Sequence, residues 1–370
     1  MSILAKRTTR VDSSGIRKVF ELARSMKNPI NLSIGQPDFD VPETVKAAAI
    51  GAIEQGHNSY TPTNGIVPLR KQLINNEIAY AGRHYSLDQM LITSGVSGGL
   101  FLALLALIEE GDEVIIPDPY FVMYKHLVSL NGGTPIYLDC YDSEFSIDTD
   151  RLESLITPAT KVLLLNSPGN PTGKVLNSDA LKTIAAICEK HDVLIISDEI
   201  YRDFAYTECL SVSQYTEKCL VLAGHSKSFG MTGWRLGYAA GPVNLIEAMA
   251  TLQQYSFVCA PSVAQYAALS CPQADMSTQL GDYAVKRDLM YKALATDFEL
   301  GSADGAFYLF VKAPEGFSGD SFTELAIANN VLIIPGSVFS ERDSHFRLCY
   351  TVPNDRLLEG AEILCSLAKG

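Results

Sequence analysis

The chain has 370 residues, which is enough for a large hydrophobic core and favours two domains. Its 29 basic and 42 acidic side chains give a net charge of −13, which argues against nucleic acid and anionic membranes as main partners. The eight cysteines are scattered without a CxxC pair or a metal-ligand spacing, so we expect reduced thiols, no metal site and a cytoplasmic location.

The N-terminal part predicts a helix at 10–28, a loop at 30–39 and a second helix at 43–54. The first of these segments has no apolar h-region, although its weak amphipathicity leaves a transit peptide as an alternative. Gly35 lies in the loop, where its small size leaves backbone amide groups open to a ligand. The turn cluster YTPTNG follows the second helix, and its first residue, Tyr60, carries a hydroxyl of the exposed type.

A short strand at 89–93 leads into a Gly/Ser loop at 94–99 and then into a helix predicted at 100–108. The helix is the longest apolar run of the chain and has about half the length of a membrane span, so it predicts a buried helix. A strand, a small-residue loop and a helix N-terminus together form a ready anion site. The pattern also fits an ordinary tight turn, and it matches neither a Walker A loop nor a GxGxxG fingerprint.

Further apolar strands alternate with helices along the next hundred residues. The strands are predicted at 113–117, 134–138, 161–165 and 193–196, and the helices at 121–131, 150–156 and 178–191. This alternation predicts an α/β fold with a mostly parallel sheet that helices cover on both faces. Ligands of such sheets bind beyond the carboxyl ends of the strands. We therefore expect five strand-end segments to share one edge: 94–98, 119–121, 166–173, 198–201 and 226–227.

The stretch GHSKSFGMTGWRLGY at 224–238 follows a buried strand at 219–223. Its lysine, Lys227, lies among small residues that leave room around the amine. A desolvated amine, or one near a cation such as Arg235, has a lowered pKa and forms Schiff bases near neutral pH. A basic loop with glycine turns explains this stretch alone equally well.

Two polar residues at strand ends complete the pattern. Asp198 ends an apolar strand, where it predicts either a helix cap or a partner for a protonated ring nitrogen. Asn170 stands between Gly and Pro, so it has a fixed direction and a ring oxygen could accept from it, although every residue of NSPGNPTG is also a turn former.

Beyond about residue 250 the pattern changes to a smaller α/β unit, onto which we expect the N-terminal residues to pack. Its helices are predicted at 243–254, 262–269, 276–298, 321–329 and from Asn354, and its strands at 307–311, 331–335 and 346–350.

A Schiff-base lysine, a carboxylate, an anion cradle and an arginine together are typical of pyridoxal phosphate enzymes. The motifs SIGQPDF, YTPTNG, NSPGNPTG, SDEIY, SKSFGMTGWRLGY and FRLCY occur in this order over about residues 30 to 350. By these motifs the sequence resembles the fold-type I aminotransferases of class I/II, close to aspartate and aromatic aminotransferases. The resemblance implies a seven-stranded, mostly parallel sheet in a large cofactor-binding domain at 40–255. It implies a small α/β domain formed by 1–39 with 256–370.

The resemblance also implies roles for individual residues. Lys227 would form the Schiff base with pyridoxal 5′-phosphate and then act as the general base. Asp198 would pair with the pyridinium nitrogen, while Tyr201 and Asn170 would hydrogen-bond the 3-oxygen of the ring. The remaining cofactor contacts are implied for Gly95, Val96, Ser97, Ser226 and Arg235 at the phosphate and for Phe121 on the ring face.

Substrate contacts and a homodimer follow from the same resemblance. Arg347 would bind the substrate α-carboxylate bidentately, with Gly35 and Asn170 opposite, although a surface strand arginine is the alternative. Tyr60 would reach the phosphate of the neighbouring subunit, so a homodimer with shared active sites is implied. The implied reaction moves an amino group from an L-amino acid to a 2-oxo acid, with 2-oxoglutarate as the expected acceptor.

Specificity and two rival functions stay open. Ser97 stands near the place where some aspartate-using relatives carry a lysine, which leaves aspartate, alanine and aromatic donors as alternatives. A carbon–sulfur β-lyase on the same fold would use the same lysine and aspartate. A non-catalytic, cofactor-sensing regulator is less favoured, because the sequence shows no basic extension for DNA binding.

Overall fold

The computed structural model describes residues 3–12, 15, 19 and 26–369. Residues 10–12 and 26–28 are not helical, and most of the range between them, where a helix is predicted, lies outside the described residues. The strands are, in chain order, β1 Ile30–Asn31, β2 Met90–Thr93, β3 Glu113–Asp118, β4 Thr134–Asp139, β5 Thr160–Asn166, β6 Leu194–Asp198, β7 Cys219–Gly224, β8 Gly237–Ala240, β9 Tyr308–Lys312, β10 Val331–Leu332, β11 Ile334–Pro335 and β12 His345–Cys349. The helices named below are α1 Glu43–Glu54, α2 Val67–Ala81, α3 Gly95–Leu107, α4 Met123–Leu130, α5 Thr149–Leu155, α6 Ser178–Lys190, α7 Val243–Ser256, α8 Ser262–Ala268, α9 Ser277–Leu294, α10 Gly319–Ala328 and α11 Asn354–Ala368.

The main sheet has seven strands in the order β2-β8-β7-β6-β5-β3-β4. Only β8 is antiparallel to its neighbours, β2 and β7, so β2 runs in the same direction as the five parallel strands. The prediction of a mostly parallel sheet is therefore confirmed. The strand ends that follow β2, β3, β5, β6 and β7 consequently meet at one edge, as the alternation of elements predicts.

Helices cover both faces of this sheet. Alternate residues of β5 belong to two different clusters, because Val162 and Leu164 pack with α3 and α7, whereas Leu163 and Leu165 pack with α5 and α6. Side chains alternate across a strand, so a strand buried on both faces has the uninterrupted apolar sequence that β5 shows.

The small residues before the apolar helix are helical, in contrast to the predicted loop. Helix α3 begins at Gly95, five residues before the predicted start. The glycines are explained by packing against the sheet. A Cβ at Gly237 of β8 would lie 2.7 Å from the backbone nitrogen of Val96, and one at Gly99 would lie 3.0 Å from Leu222. Close approach of helix and sheet therefore overrides the low helix propensity of glycine.

Helix α2 is absent from the sequence-based prediction. Its apolar periodicity is broken because two charged residues, Arg70 and Glu77, point inward and are buried. Glu77 accepts hydrogen bonds from Arg202 at 2.6 Å and from the Tyr238 hydroxyl at 2.6 Å. A buried ion pair thus replaces the apolar residues by which an amphipathic helix is identified.

The C-terminal part carries two smaller sheets. Strands β11, β12 and β9 form an antiparallel sheet, while β10 pairs in parallel with β1. The single strand predicted at 331–335 is thus divided, because the chain changes partner at Ile333, from β1 to β12. Among the described residues, no helix combines the length and apolar character that crossing a bilayer requires.

Candidate active site

A cavity of about 790 Å³ lies at the edge of the main sheet where the parallel strands end. The structure brings most of the predicted site residues to its walls: Gly35, Val96, Ser97, Phe121, Asn170, Asp198, Tyr201, Ser226, Lys227, Arg235 and Arg347. Gly95 lies next to the wall at the start of α3. Tyr60 does not line the cavity of its own chain, and it is 82% exposed.

Lys227 follows β7 and points its amine into the cavity. Its Nζ donates a hydrogen bond to the carbonyl oxygen of Gly35 at 2.7 Å. Burial lowers the pKa of Lys227 to about 8, and the positive charges of Arg347 and Arg235 act in the same direction. The sequence left desolvation and a nearby cation as alternative causes, and desolvation is the larger of the two. Gly35 thus contacts the lysine through its carbonyl group, while its amide makes no hydrogen bond within the described part of the chain and stays a predicted ligand contact.

Asp198 ends β6 and is 5% exposed. Its Oδ2 accepts a hydrogen bond from the Tyr124 hydroxyl at 2.8 Å, and its Oδ1 accepts from the Ile200 amide at 3.2 Å. Burial raises the pKa of Asp198 to about 6, against the opposing effect of these hydrogen bonds and of Lys227. The carboxylate is therefore mostly ionised at neutral pH, yet none of the described residues places a cation in contact with it. Tyr124 was missed in the sequence, where it reads as one more apolar residue of a helix.

Three hydrogen-bonding groups face the cavity from different elements. The hydroxyl of Tyr201 lies 2.7 Å from the hydroxyl of Tyr308, and Asn170 Nδ2 donates to Tyr201 at 3.4 Å. The backbone nitrogen of Asn170 donates to Asn166 Oδ1 at 2.8 Å, which holds the loop after β5 in place. Tyr308 was also missed, because it lies in an apolar strand far away in the sequence.

The N-terminus of α3 and one guanidinium group form a positive corner of the cavity. Gly95 adopts a φ of +71°, and a Cβ there would lie 2.7 Å from Arg235 Nη2. Arg235 itself has a φ of +56° and donates from Nη1 to the Thr232 carbonyl oxygen at 2.9 Å. The hydroxyls of Ser97 and Ser226 line the same cavity. A helix N-terminus, a guanidinium and hydroxyl donors are the groups that bind a phosphate.

Arg347 is 1% exposed, so it is not a surface strand arginine. Its Nη1 donates to Asn170 Oδ1 at 2.9 Å and its Nη2 donates to the Ser33 carbonyl oxygen at 2.8 Å. The guanidinium lies between the rings of Tyr308 and Phe339, at 4.7 Å and 4.5 Å from their centroids. Among the described residues no carboxylate pairs with this guanidinium, and its buried Nε meets no hydrogen-bond acceptor. A buried cation in this state fits an anionic ligand.

Comparison with known proteins assigns this arrangement to a family. The family model described as "Aminotransferase class I and II" matches residues 27–364. A "Probable aspartate aminotransferase" of Methanocaldococcus jannaschii is 37% identical over 93% of this chain and 94% of its own length. "Aromatic-amino-acid aminotransferase 2" of Thermococcus litoralis is 35% identical over 97% of this chain and 96% of its own. The solved aspartate aminotransferase from Thermus thermophilus with maleate superimposes with a TM-score of 0.95 at 32% identity, covering 99% of this chain and all of that one.

Proposed function

The chain belongs to the aminotransferases of class I and II, and we propose that it transfers the amino group of an L-amino acid to a 2-oxo acid with pyridoxal 5′-phosphate held on Lys227. One observation carries the proposal. A buried lysine of lowered pKa, a buried carboxylate and a buried guanidinium share one cavity, and neither the carboxylate nor the guanidinium has an ion-pair partner in the described part of the chain. Each of these three groups is costly to bury. Pyridoxal 5′-phosphate would provide partners for the lysine and the carboxylate, and the carboxylate of a substrate would provide one for the guanidinium.

The residues present fit the cofactor. Asp198 would hold the protonated ring nitrogen, because its pKa of about 6 leaves it ionised at neutral pH. Tyr201 and Asn170 would hydrogen-bond the 3-oxygen. Phe121 lines the cavity and would cover one face of the ring. The phosphate would occupy the positive corner formed by Gly95, Val96, Ser97, Ser226 and Arg235.

The chain's own groups then orient the substrate and move one proton. When bound, pyridoxal 5′-phosphate supplies a carbonyl carbon that takes the amino group and a ring that accepts electron density. Arg347 would bind the α-carboxylate through its guanidinium, which Asn170 holds in place by accepting from Nη1. Lys227 Nζ, once free, would accept the proton from the substrate Cα and return it to the cofactor carbon that carries the amino group. A pKa of about 8 allows both steps near neutral pH.

The donor stays a choice among aspartate, alanine and aromatic amino acids, with 2-oxoglutarate as the proposed acceptor. Relatives named for aspartate and for aromatic amino acids match this chain about equally well. Ser97 lines the cavity and carries no charge for a distal carboxylate. We therefore propose that aspartate is one donor among several.

A homodimer with shared sites is supported by the surface around Tyr60. Gln253 at the end of α7 donates to the Thr63 carbonyl oxygen at 2.7 Å, so the segment with Tyr60 lies beside that helix. Tyr255 and Phe257 are exposed there in the single chain. Exposed aromatic residues that lie together are typical of an interface between subunits. A second subunit that covers them would bring its own Tyr60 towards this cavity.

Two further proposals concern organisation and location. We propose a large domain at 40–255 and a small domain from 1–39 with 256–370, but helix α8 packs with α1 and β8, which moves the second boundary beyond α8. The pairing of β1 with β10 supports the joining of the N-terminal residues to the C-terminal part. Asp38 likewise accepts a hydrogen bond from the Tyr283 hydroxyl of α9 at 2.7 Å. A cytoplasmic location agrees with all eight cysteines being free.

The proposed function is tested by absorbance spectroscopy of the purified protein with added pyridoxal 5′-phosphate. We expect a visible band that disappears when one amino acid is added without an oxo acid and returns with 2-oxoglutarate. Lys227→Ala removes the band, while Lys218→Ala, which removes only the exposed ion pair with Asp192, retains it. Release of pyruvate and ammonia would instead identify a β-lyase. A wild-type protein without the band would contradict the enzyme proposal.

A further inference from the structure

Tyr308 lies where the substrate side and the cofactor side of the cavity meet. It begins β9, pairs with Cys349 of β12 and is almost fully buried. Its ring lies under the Arg347 guanidinium at 4.7 Å, while its hydroxyl reaches Tyr201 at 2.7 Å. Neither the sequence motifs nor the reaction described above assigns this residue a task.

We propose that Tyr308 is a positioning residue that directs the hydroxyl proton of Tyr201 toward the cofactor and thereby lowers the proton affinity of the Schiff base on Lys227. The proposal rests on the proposed function and deepens it. It concerns a residue that acts through Tyr201, so Tyr308 itself is not a catalytic residue.

Counting donors and acceptors supports this direction. A tyrosine hydroxyl donates one hydrogen bond and accepts up to two. The Tyr201 oxygen accepts weakly from Asn170 Nδ2 at 3.4 Å and lies 2.7 Å from the Tyr308 hydroxyl. Burial holds the pKa of Tyr308 well above its usual value, so this hydroxyl keeps its proton as a donor. When Tyr308 donates, Tyr201 keeps its own proton for a ligand in the cavity.

Gly35 supplies an independent observation. A Cβ at this position would lie well under 3.0 Å from the Tyr308 hydroxyl oxygen, closer than real Cβ atoms approach. The absence of a side chain at Gly35 therefore keeps the space in which the Tyr308 hydroxyl lies. The Gly35 carbonyl oxygen also accepts from Lys227, so one loop residue limits both the hydroxyl and the amine. Packing against Tyr308 is therefore one reason for a glycine at this position.

The chemical consequence follows from hydrogen-bond cooperativity. A hydroxyl that accepts a hydrogen bond becomes a stronger donor, and donation to the 3-oxygen stabilises the deprotonated form of the Schiff base. The charged and titratable groups around Lys227 are Asp198, Arg235, Arg347 and Cys349. All four remain when Tyr308 loses its hydroxyl, so a change in the pH titration reports the hydroxyl rather than a lost charge.

The test is a pH titration of the cofactor's visible band in the holoenzyme. Tyr308→Phe removes one oxygen, and we expect the titration midpoint to rise by roughly 0.3 to 1 pH unit. Tyr350→Phe is the matched control, because its equally buried hydroxyl bonds to the Ala306 carbonyl oxygen and to Tyr206 instead. Its midpoint is expected to equal that of the wild type. In a Tyr201→Phe background, Tyr308→Phe is expected to add no further shift.

A second variant and a defined set of contradicting outcomes keep the test decisive. Gly35→Ala displaces the same hydroxyl without removing it, so its midpoint is expected to rise even if Tyr308→Phe does not fold. Unchanged midpoints in both single variants, or a full shift of Tyr308→Phe in the Tyr201→Phe background, would overturn the inference while the proposed function stands. A wild-type protein without any visible band would instead refute the proposed function.

Discussion

Replacing Arg347 by lysine tests the substrate side of the site most directly. The guanidinium donates from Nη1 to Asn170 Oδ1 and from Nη2 to the Ser33 carbonyl oxygen, and each of these nitrogens carries a second N–H for a ligand. A lysine retains the positive charge but offers a point contact in place of the planar fork. It cannot satisfy Asn170, Ser33 and both oxygens of a carboxylate from one atom. The variant therefore loses geometry rather than charge.

The magnitude follows from the number of bonds lost. One charge-assisted hydrogen bond contributes about 1.5–3 kcal/mol. Its loss corresponds to a decrease in kcat/KM of roughly 10- to 150-fold. We expect most of this effect as an increase in KM, because the α-carboxylate is present before and after proton transfer. The decrease applies to every amino acid donor alike, since all of them carry the same carboxylate.

The assay compares an amino acid with the amine that lacks only the α-carboxylate. Steady-state kcat/KM is measured for both in the wild type, in Arg347→Lys and in Arg342→Lys. The last variant is the control, because Arg342 lies at the surface and pairs with Asp139 outside the cavity. We expect the preference for the amino acid over the amine to fall only in Arg347→Lys. An unchanged preference, with cofactor binding intact, would refute the assignment of the α-carboxylate to Arg347.

Three further predictions concern the cofactor side. Asp198→Asn is expected to lower kcat by about 100-fold or more. The same variant should stabilise the cofactor-free protein at pH 7 by about 2 kcal/mol in denaturant titrations. The reason is that the folded-state pKa of Asp198, about 6, exceeds the unfolded value, so ionisation of the wild-type carboxyl disfavours folding as the pH rises from 4 to 6. Equal stability of the variant and the wild type at pH 7 would contradict this. The rate of cofactor capture, followed by stopped-flow absorbance, is expected to rise with a midpoint near pH 8 as Lys227 loses its proton, and a flat profile would contradict the lowered pKa. When Tyr60→Ala and Lys227→Ala chains are co-expressed, we expect about a quarter of the wild-type activity, because half of the dimers are mixed and each mixed dimer has one intact site. Activity no higher than that of the single variants would exclude shared sites.

Much of the fold and site could be predicted because the information is local. Helix α1 lies at the predicted residues, and each strand of the parallel sheet lies within about two residues of its apolar run, since a strand buried on both faces needs only apolar residues in sequence. Parallel strands end at one edge, so residues that follow different strands, such as Asp198 and Lys227, meet without any knowledge of packing. The resemblance to a known family then indicated which strand-end residues to expect in the site.

Other features depend on partners that are distant in the sequence. Helix α2 escaped prediction because its inward-facing Glu77 is compensated by Arg202, 125 residues further on. In the sequence, Tyr124 has the pattern of a core residue. Only the fold places Asp198, at the end of β6, against its hydroxyl. Tyr308 and Arg347 are brought together by the register of β9 with β12, which no local pattern specifies.

The residue types and their order along the chain thus indicated the class of fold, the lysine proposed to react and the carboxylate at the strand end. Tertiary structure alone decided how those groups behave. Burial is the main cause of the lowered pKa of Lys227. Burial also makes Arg347 an interior cation that no carboxylate of the described residues neutralises. The physical reason is that desolvation depends on everything that surrounds a group, whereas sequence spacing specifies only which groups are present.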